Sequence, residues 1–253
     1  MTKNTKLAKR HRCLLAPFSK QGDGEYMPTI TDACVAFHGL NGTGGRVGAA
    51  NVPADYRFVT LANSPVRENQ PEIYRMLDAY VKTFERQFES DSERIKSLYL
   101  YSRNPGTGKT TSAVALLNEW LVAHFLGALK RRRQPLQLPA YFLDVNEFQT
   151  RYNLATMTND EDEIERIRDE IRKCQTVPFL VMDDIGVRGA TEAFRSYLHA
   201  IINYRTTNGL PTVYTSNLPI EDMAHVFDDR LYDRMRDQCV ELYFEGESKR
   251  GRR

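Results

Sequence analysis

Arg103-Asn104-Pro105-Gly106-Thr107-Gly108-Lys109-Thr110 follows the apolar run Ser97-Leu98-Tyr99-Leu100-Tyr101 and opens a long apolar stretch from Ala113 to Leu129. Strand, glycine-rich turn, Lys-Thr and helix, in that order, make a phosphate-binding loop. Gly106 and Gly108 let backbone N–H groups curl around phosphate oxygens, and the helix N-terminus adds a partial positive charge. In this reading Asn104, Pro105, Gly106, Thr107, Gly108, Lys109, Thr110 and Thr111 cradle a nucleotide. Lys109 reaches its β- and γ-phosphates and the Thr110 hydroxyl holds Mg²⁺. One departure is Arg103, which stands where the pattern has its first glycine. ATP with Mg²⁺ is the ligand this stretch implies.

Composition narrows the class. The chain has 253 residues, 41% hydrophobic and 27% charged, which suits a globular protein with a sizeable core. A net charge of +2 is too small to argue for nucleic acid by itself. Basic residues do cluster at Lys3–Arg12, at Lys130–Arg133 and at Lys249–Arg253, and such runs are ordinarily solvated surface. Four scattered cysteines suggest reduced thiols and an intracellular protein, and with no leader recognised the expected location is the cytoplasm. Ala113–Leu129 carries Asn118, Glu119 and His124, so a buried helix is expected there and not a membrane span.

The chain has two textures. Up to about Pro65 it lacks apolar periodicity, and five glycines fall between Gly39 and Gly48, which predicts an irregular loop. From Pro71 the pattern is regular. Ile73, Leu77, Tyr80, Val81, Phe84 and Phe88 lie at helical spacing. Strands are predicted at 97–102, 140–145, 177–184, 212–218 and 240–245, with helices at 110–130, near 160–173 and at 191–207. Strands separated by helices of ten or more residues indicate crossover units and a parallel sheet covered on both faces. The fold class is α/β.

Phe179-Leu180-Val181-Met182-Asp183-Asp184 is a buried strand ending in two carboxylates. Placed beside the P-loop strand, Asp183 suits Mg²⁺ and Asp184 suits the attacking water. Asp184 is one methylene shorter than the glutamate many such enzymes carry, which fits slow turnover and a switch. Thr212 to Asn217 forms another strand with Asn217 at its tip, where it could meet the γ-phosphate. In Asp229-Arg230-Leu231-Tyr232-Asp233-Arg234, the two arginines share one helix face. Spacing alone favours pairing with the neighbouring acids.

Taken together and in order, GTGKT, FLVMDDIG, TVYTSNL and DRLYDRMR resemble the AAA+ domain of DnaC/DnaI-type replicative helicase loaders and the related IstB transposition ATPases. The resemblance runs from about Val52 to Glu245 and includes Val52-Pro53-Ala54-Asp55-Tyr56-Arg57 ahead of the core. It implies a P-loop AAA+ core with a five-stranded parallel sheet over residues 66–247, no helical lid domain, and a basic tail over 248–253. It also implies Lys109 and Thr110 as Walker A residues, Asp183 and Asp184 as Walker B, and Asn217 as sensor 1. Arg230 becomes the trans-acting arginine finger and Arg234 a second arginine near the phosphates. The implied partners are a hexameric replicative DNA helicase, single-stranded DNA and further copies of this chain across ATP sites, with no membrane. Arg103 and Lys130–Arg133 are candidates for the DNA contact.

Residues 1–65 would be a small irregular helicase-interaction region. His11, Cys13, Cys34 and His38 there leave two readings open: a tetrahedral zinc site, or unliganded side chains. Three rivals to the loader reading remain. One is an IstB-like helper acting with a transposase on duplex DNA. Another is a module holding nucleotide only as a structural ligand, and the least fitting is a small-molecule kinase, since no arginine-rich lid segment is present.

Overall fold

The apolar runs become five strands: β1 (Ser97–Tyr101), β2 (Ala140–Asp144), β3 (Phe179–Asp183), β4 (Thr212–Ser216) and β5 (Cys239–Tyr243). The structure is a computed structural model and describes residues 13–18, 30–186 and 189–248. Helices α1 (Ile30–His38), α2 (Gly45–Ala49) and α3 (Pro71–Lys82) precede the sheet. Within it come α4 (Lys109–Lys130), α5 (Val145–Thr158), α6 (Glu161–Thr176), α7 (Glu192–Asn208), the short α8 (Met223–Val226) and α9 (Asp229–Gln238). All pairings are parallel and the order is β2-β3-β4-β1-β5. The expected five-stranded parallel α/β sheet is therefore present. One expectation needs correcting: β3 does not lie beside the P-loop strand, because β4 pairs with both β1 and β3 and separates them.

Strand side chains alternate between two faces. Leu98, Leu100, Phe142, Phe179, Val181, Val213 and Leu242 point into one core with α4. Tyr99, Tyr141, Leu143, Leu180, Met182 and Tyr214 point into the other, against the helices from α5 to α9. Helix α4 is sealed by the sheet on one side and by α3 and the Thr83–Phe88 turn on the other. Trp120 stacks on Phe179 with centroids 4.7 Å apart, while Phe84 meets Trp120 edge-on at 4.9 Å. The helix is long and apolar enough to cross a membrane, yet 78% of its most apolar window is buried inside the protein. As expected, it is a core helix.

The region before Pro65 is more ordered than its glycines suggest. Leu14, Leu15, Ala33, Phe37, Val47, Ala50, Val52 and Leu61 join the same core as α4. The glycines allow backbones to touch: a Cβ on Gly45, at φ +60°, would stand 2.6 Å from the Phe37 carbonyl oxygen. Arg46, buried against the Phe125 ring at 5.0 Å, donates to the carbonyls of Ala36, Pro135 and Leu136. The segment then closes one edge of the sheet. Phe142 N donates to Ala50 O at 2.9 Å and Asn51 Nδ2 to Phe142 O at 3.1 Å, so edge strand β2 has a partner on its outer side.

A second buried guanidinium anchors the other face. Arg205 is 0% exposed and donates to Thr212 Oγ1 and to the carbonyls of Cys174, Gln175, Val177 and Pro211. Burial without a carboxylate lowers its pKa to about 10. It fastens the ends of α6 and α7 to the start of β4.

His38 and His124 are buried in neutral form. Leu14 N donates to His38 Nε2 and Leu136 N to His124 Nε2, while His124 Nδ1 bonds Gln87 Oε1. Burial first, and then Arg57 for His38 and Arg46 for His124, lower both pKa values to about 4. The unfolded chain therefore binds more protons than the folded one between pH 4 and the ordinary histidine value of 6.5. Their stabilisation is complete above pH 6.5 and lost as pH falls towards 4, on the order of 2–3 kcal/mol per histidine. Urea unfolding at pH 7.5 and pH 4.5 should show this loss in the wild type. His124→Gln should show a smaller loss than wild type over the same interval.

Candidate nucleotide-binding site

At the end of β1 the chain enters the glycine-rich turn, where Asn104 N donates to Ser102 Oγ at 3.3 Å. Gly106 and Gly108 have φ of +74° and +103°, which glycine adopts freely. A Cβ on Gly108 would also lie 2.4 Å from Val66 Cγ1, so the loop is pressed against the segment ahead of α3. Tyr74 bonds both Ser64 and Ser112, tying that segment to the first turn of α4. Asn104 Nδ2 and Gln70 Nε2 hold the carbonyls of Gly246 and Glu245, which fixes the chain leaving β5 beside the loop.

The strand tips complete the site. Residues 213, 215 and 217 share one parity, and from the core position of Val213 this brings Thr215 and Asn217 to the face of α4. Lys109, 8% exposed, donates from Nζ to Asn217 Oδ1 at 2.8 Å and to Asn104 O at 3.4 Å. Thr110 Oγ1 donates to Asp183 Oδ2 at 3.1 Å, reaching past β4. Thr215 Oγ1 donates to Asp183 Oδ1 at 2.6 Å and accepts from Asp184 N at 2.8 Å. Asp184 sits at φ +61°, and its Oδ2 accepts from Asn146 Nδ2 on the first turn of α5 at 2.8 Å. Its carboxylate is thus held by α5 and by none of the P-loop residues.

Burial, reinforced by the charges of Asp144 and Asp184, raises the Asp183 pKa to about 6 against the hydrogen bonds from Thr215 and Thr110. A nearly buried carboxylate of this kind is best satisfied by a cation. The Thr110 hydroxyl beside it is the hard oxygen donor that Mg²⁺ prefers. In the loop itself the buried Thr107 Oγ1 has no hydrogen-bond partner among the described residues. These features fit a magnesium–nucleotide complex, with Thr110 and Asp183 on the metal side and Lys109 and the loop N–H groups on the phosphate side.

The other expected residues are more dispersed. Arg230 is exposed on the first turn of α9, a helix capped by Asp228, which accepts from Leu231 N and pairs with His199 on α7 at 3.1 Å. Arg234 is bonded to Asn203 of α7 and not to the phosphate loop. Arg103 and Lys130–Arg133 lie at opposite ends of α4, roughly 30 Å apart along its axis. Arg131 is engaged by Gly127 O, Glu85 and the Phe88 ring.

The zinc expectation is corrected. Cys13 and Cys34 are joined in a disulfide, which consumes both thiolates, and His38 Nε2 accepts from Leu14 N. No group of three or more potential metal-ligating side chains occurs among the described residues, and His11 lies outside them. The expectation of reduced thiols holds for Cys174 and Cys239 and fails for this pair.

The overall fold is shared with solved structures. DnaI matches with a TM-score of 0.53 at 20% identity, covering 79% of this chain and 94% of that one. The DnaC helicase loader matches at 0.54 and 20% identity, covering 76% and 100%. AMPPCP-bound DnaA from Aquifex aeolicus matches at 0.52 and 18% identity, covering 77% and 51%. The fold of this chain is that of the matched DnaI, DnaC and DnaA structures. In sequence the chain is similar to the replicative helicase loader DnaC of Escherichia coli K12, with 25% identity over 161 residues, 60% of this chain and 55% of that protein. It is also 25% identical to the helicase loader DnaI of Bacillus subtilis strain 168 over 133 residues, 52% of this chain and 36% of DnaI. The chain thus spans about half the length of DnaC and less of DnaI. No family model matches it.

Two residues at the site escaped the sequence reading, Asn146 and Thr215. Asn146 belongs to a helix whose pattern is weak, and Thr215 looks like an ordinary strand threonine. The loop geometry sets the expected effect of two substitutions. Gly108→Ala should destabilise the fold by about 1–3 kcal/mol through left-handed strain and the Val66 clash. Lys109→Ala should leave the melting temperature nearly unchanged. Both should weaken binding of a fluorescent ATP analogue at least tenfold, measured by titration alongside thermal melts.

Proposed function

We propose that this chain is an ATP-dependent loader that binds a hexameric replicative DNA helicase and helps place it on single-stranded DNA. The observation that carries the reading is the convergence of Lys109, Thr110, Asp183 and Asn217 at one end of the sheet. The sequence similarity to DnaC and DnaI supports the loader reading.

In this mechanism Lys109 exchanges its bond to Asn217 for one to the β- and γ-phosphates, and the freed Asn217 amide turns to the γ-phosphate. Thr110 and Asp183 would hold Mg²⁺, which would supply charge neutralisation at the phosphate oxygens. Asp184 leaves Asn146 to orient the attacking water. Arg230, exposed on α9, reaches the γ-phosphate of a neighbouring copy, a contact worth roughly 10³–10⁵ in rate in related phosphoryl-transfer systems. Arg234 serves near the same phosphates once its bond to Asn203 opens. ATP then acts between subunits as an assembly switch in the cytoplasm, with slow hydrolysis stimulated by DNA or by the partner. Generic backbone and base contacts suffice for the DNA strand.

The experiment is size-exclusion chromatography with light scattering of the protein mixed with the replicative helicase of its own genome or host. With ATP analogue a stable complex is expected, and Arg230→Ala should weaken it. Absence of any complex with ATP analogue or with ADP would overturn the loader reading.

A further inference from the structure

We infer that Thr215 is a positioning residue that locks the two acids at the tip of β3 into one unit, an inference that rests on the ATPase reading above. Three bonds from consecutive residues end on it. Its Oγ1 donates to Asp183 Oδ1 at 2.6 Å, Asp184 N donates to the same Oγ1 at 2.8 Å, and Ile185 N donates to Thr215 O at 2.9 Å. The directions are fixed by chemistry: an ionised carboxylate only accepts, a backbone N–H only donates, and the hydroxyl has a single hydrogen. Giving that hydrogen to Asp183 makes the oxygen a stronger acceptor for Asp184 N–H, so the two bonds support each other. Thr215 is 1% exposed, which leaves water little chance to replace either bond.

The geometry explains why a side chain does this work. The ladder between β3 and β4 runs from Leu180↔Thr212 to Met182↔Tyr214, and Thr215 is one residue further, level with Asp183. There the β3 backbone leaves the sheet, with Asp184 at φ +61°, a conformation that persists in an aspartate only when its surroundings enforce it. The Thr215 hydroxyl caps the Asp184 N–H at the point of departure, and the Thr215 carbonyl captures Ile185 N. Asp183 Oδ1 is thereby committed to the scaffold, which leaves Oδ2, facing Thr110, for the metal side. Asp184 is set at a fixed backbone position relative to that oxygen. Valine or isoleucine would suit a buried strand position equally well, but neither could make the two hydroxyl bonds.

Thr215→Val keeps the shape and the backbone bond while deleting both hydroxyl bonds. In the full chain it should lower kcat for ATP hydrolysis 10- to 100-fold and raise the Mg²⁺ concentration for half-maximal activity severalfold. Binding of a fluorescent ATP analogue in EDTA should stay within about threefold of wild type, and Thr215→Ser should recover most of kcat. A purely structural role would move the melting temperature without this split between metal-dependent and metal-free steps. Wild-type kcat and magnesium dependence in Thr215→Val would overturn the inference, as would a serine variant as impaired as the valine one. Should the valine variant not fold, serine against cysteine decides, since a thiol is a weak donor and equal activity of the two overturns the idea. Wild-type protein with neither hydrolysis nor magnesium-enhanced nucleotide binding would overturn the ATPase reading and Thr215 with it. Wild type that shows both, beside an unaffected valine variant, would overturn Thr215 alone.

Discussion

Helix α4 has to satisfy two opposed demands, and the rest of the molecule is arranged around that conflict. On the proposed ATPase reading its first turn stays accessible to phosphate, with the Lys109 ammonium at its mouth. Its remaining length is apolar on nearly every side and must be enclosed. The sheet covers one flank; α3, the Thr83–Phe88 turn and the helices before residue 65 cover the other. The segment ahead of the glycine-rich loop is therefore part of the envelope that keeps the start of α4 in place, as the Val66–Gly108 and Tyr74–Ser112 contacts illustrate.

Parallel strands carry the second half of the arrangement. Because every strand runs the same way, every C-terminal tip reaches the same side of the sheet as the phosphate loop. Period-two alternation then selects which tip residues face α4: Asp183 on β3, and Thr215 and Asn217 at the end of β4. The acids sit two strands from β1, and the Thr110 hydroxyl spans that gap by bonding Asp183 across the end of β4. Burial makes the Asp183 carboxylate hungry for a cation, and the same burial makes Thr215 and Thr110 necessary as donors in its absence.

The strands and the loop were legible because their signals are local. Apolar runs of five residues bounded by turn formers, a glycine-rich turn and two acids at a strand end need no tertiary context to be read. Helix α5 was not anticipated. It buries only Val145, Phe148 and Ala155, and it starts directly on β2, with Asp144 serving both as the last strand residue and as the N-cap. The early glycines suggested a loop because glycine reads as a breaker, whereas here it lets α1 and α2 come into backbone contact. Parity along β4 could have pointed to Thr215, but a threonine in a strand carries no signal until its neighbour across the ladder is known. Strand order was equally invisible, since which strand inserts beside β1 is decided by packing between distant segments. The cysteine pair shows the same limit from another side. Cys13 and Cys34 are 21 residues apart in sequence, and only the fold brings them together.

The strap of Ala50 and Asn51 over β2 has a consequence for how copies of this chain can meet. An uncovered edge strand offers a row of backbone donors and acceptors that any extended peptide, including a second copy of itself, can extend. Such pairing is indifferent to nucleotide and hard to undo. With Phe142 already bonded on its outer side, β2 cannot be zipped onto a neighbour at that point. Association on this flank is left to side chains, which make and break contacts readily. If, as proposed, copies join and part with ATP, contacts of that reversible kind serve better than a sheet that could keep growing.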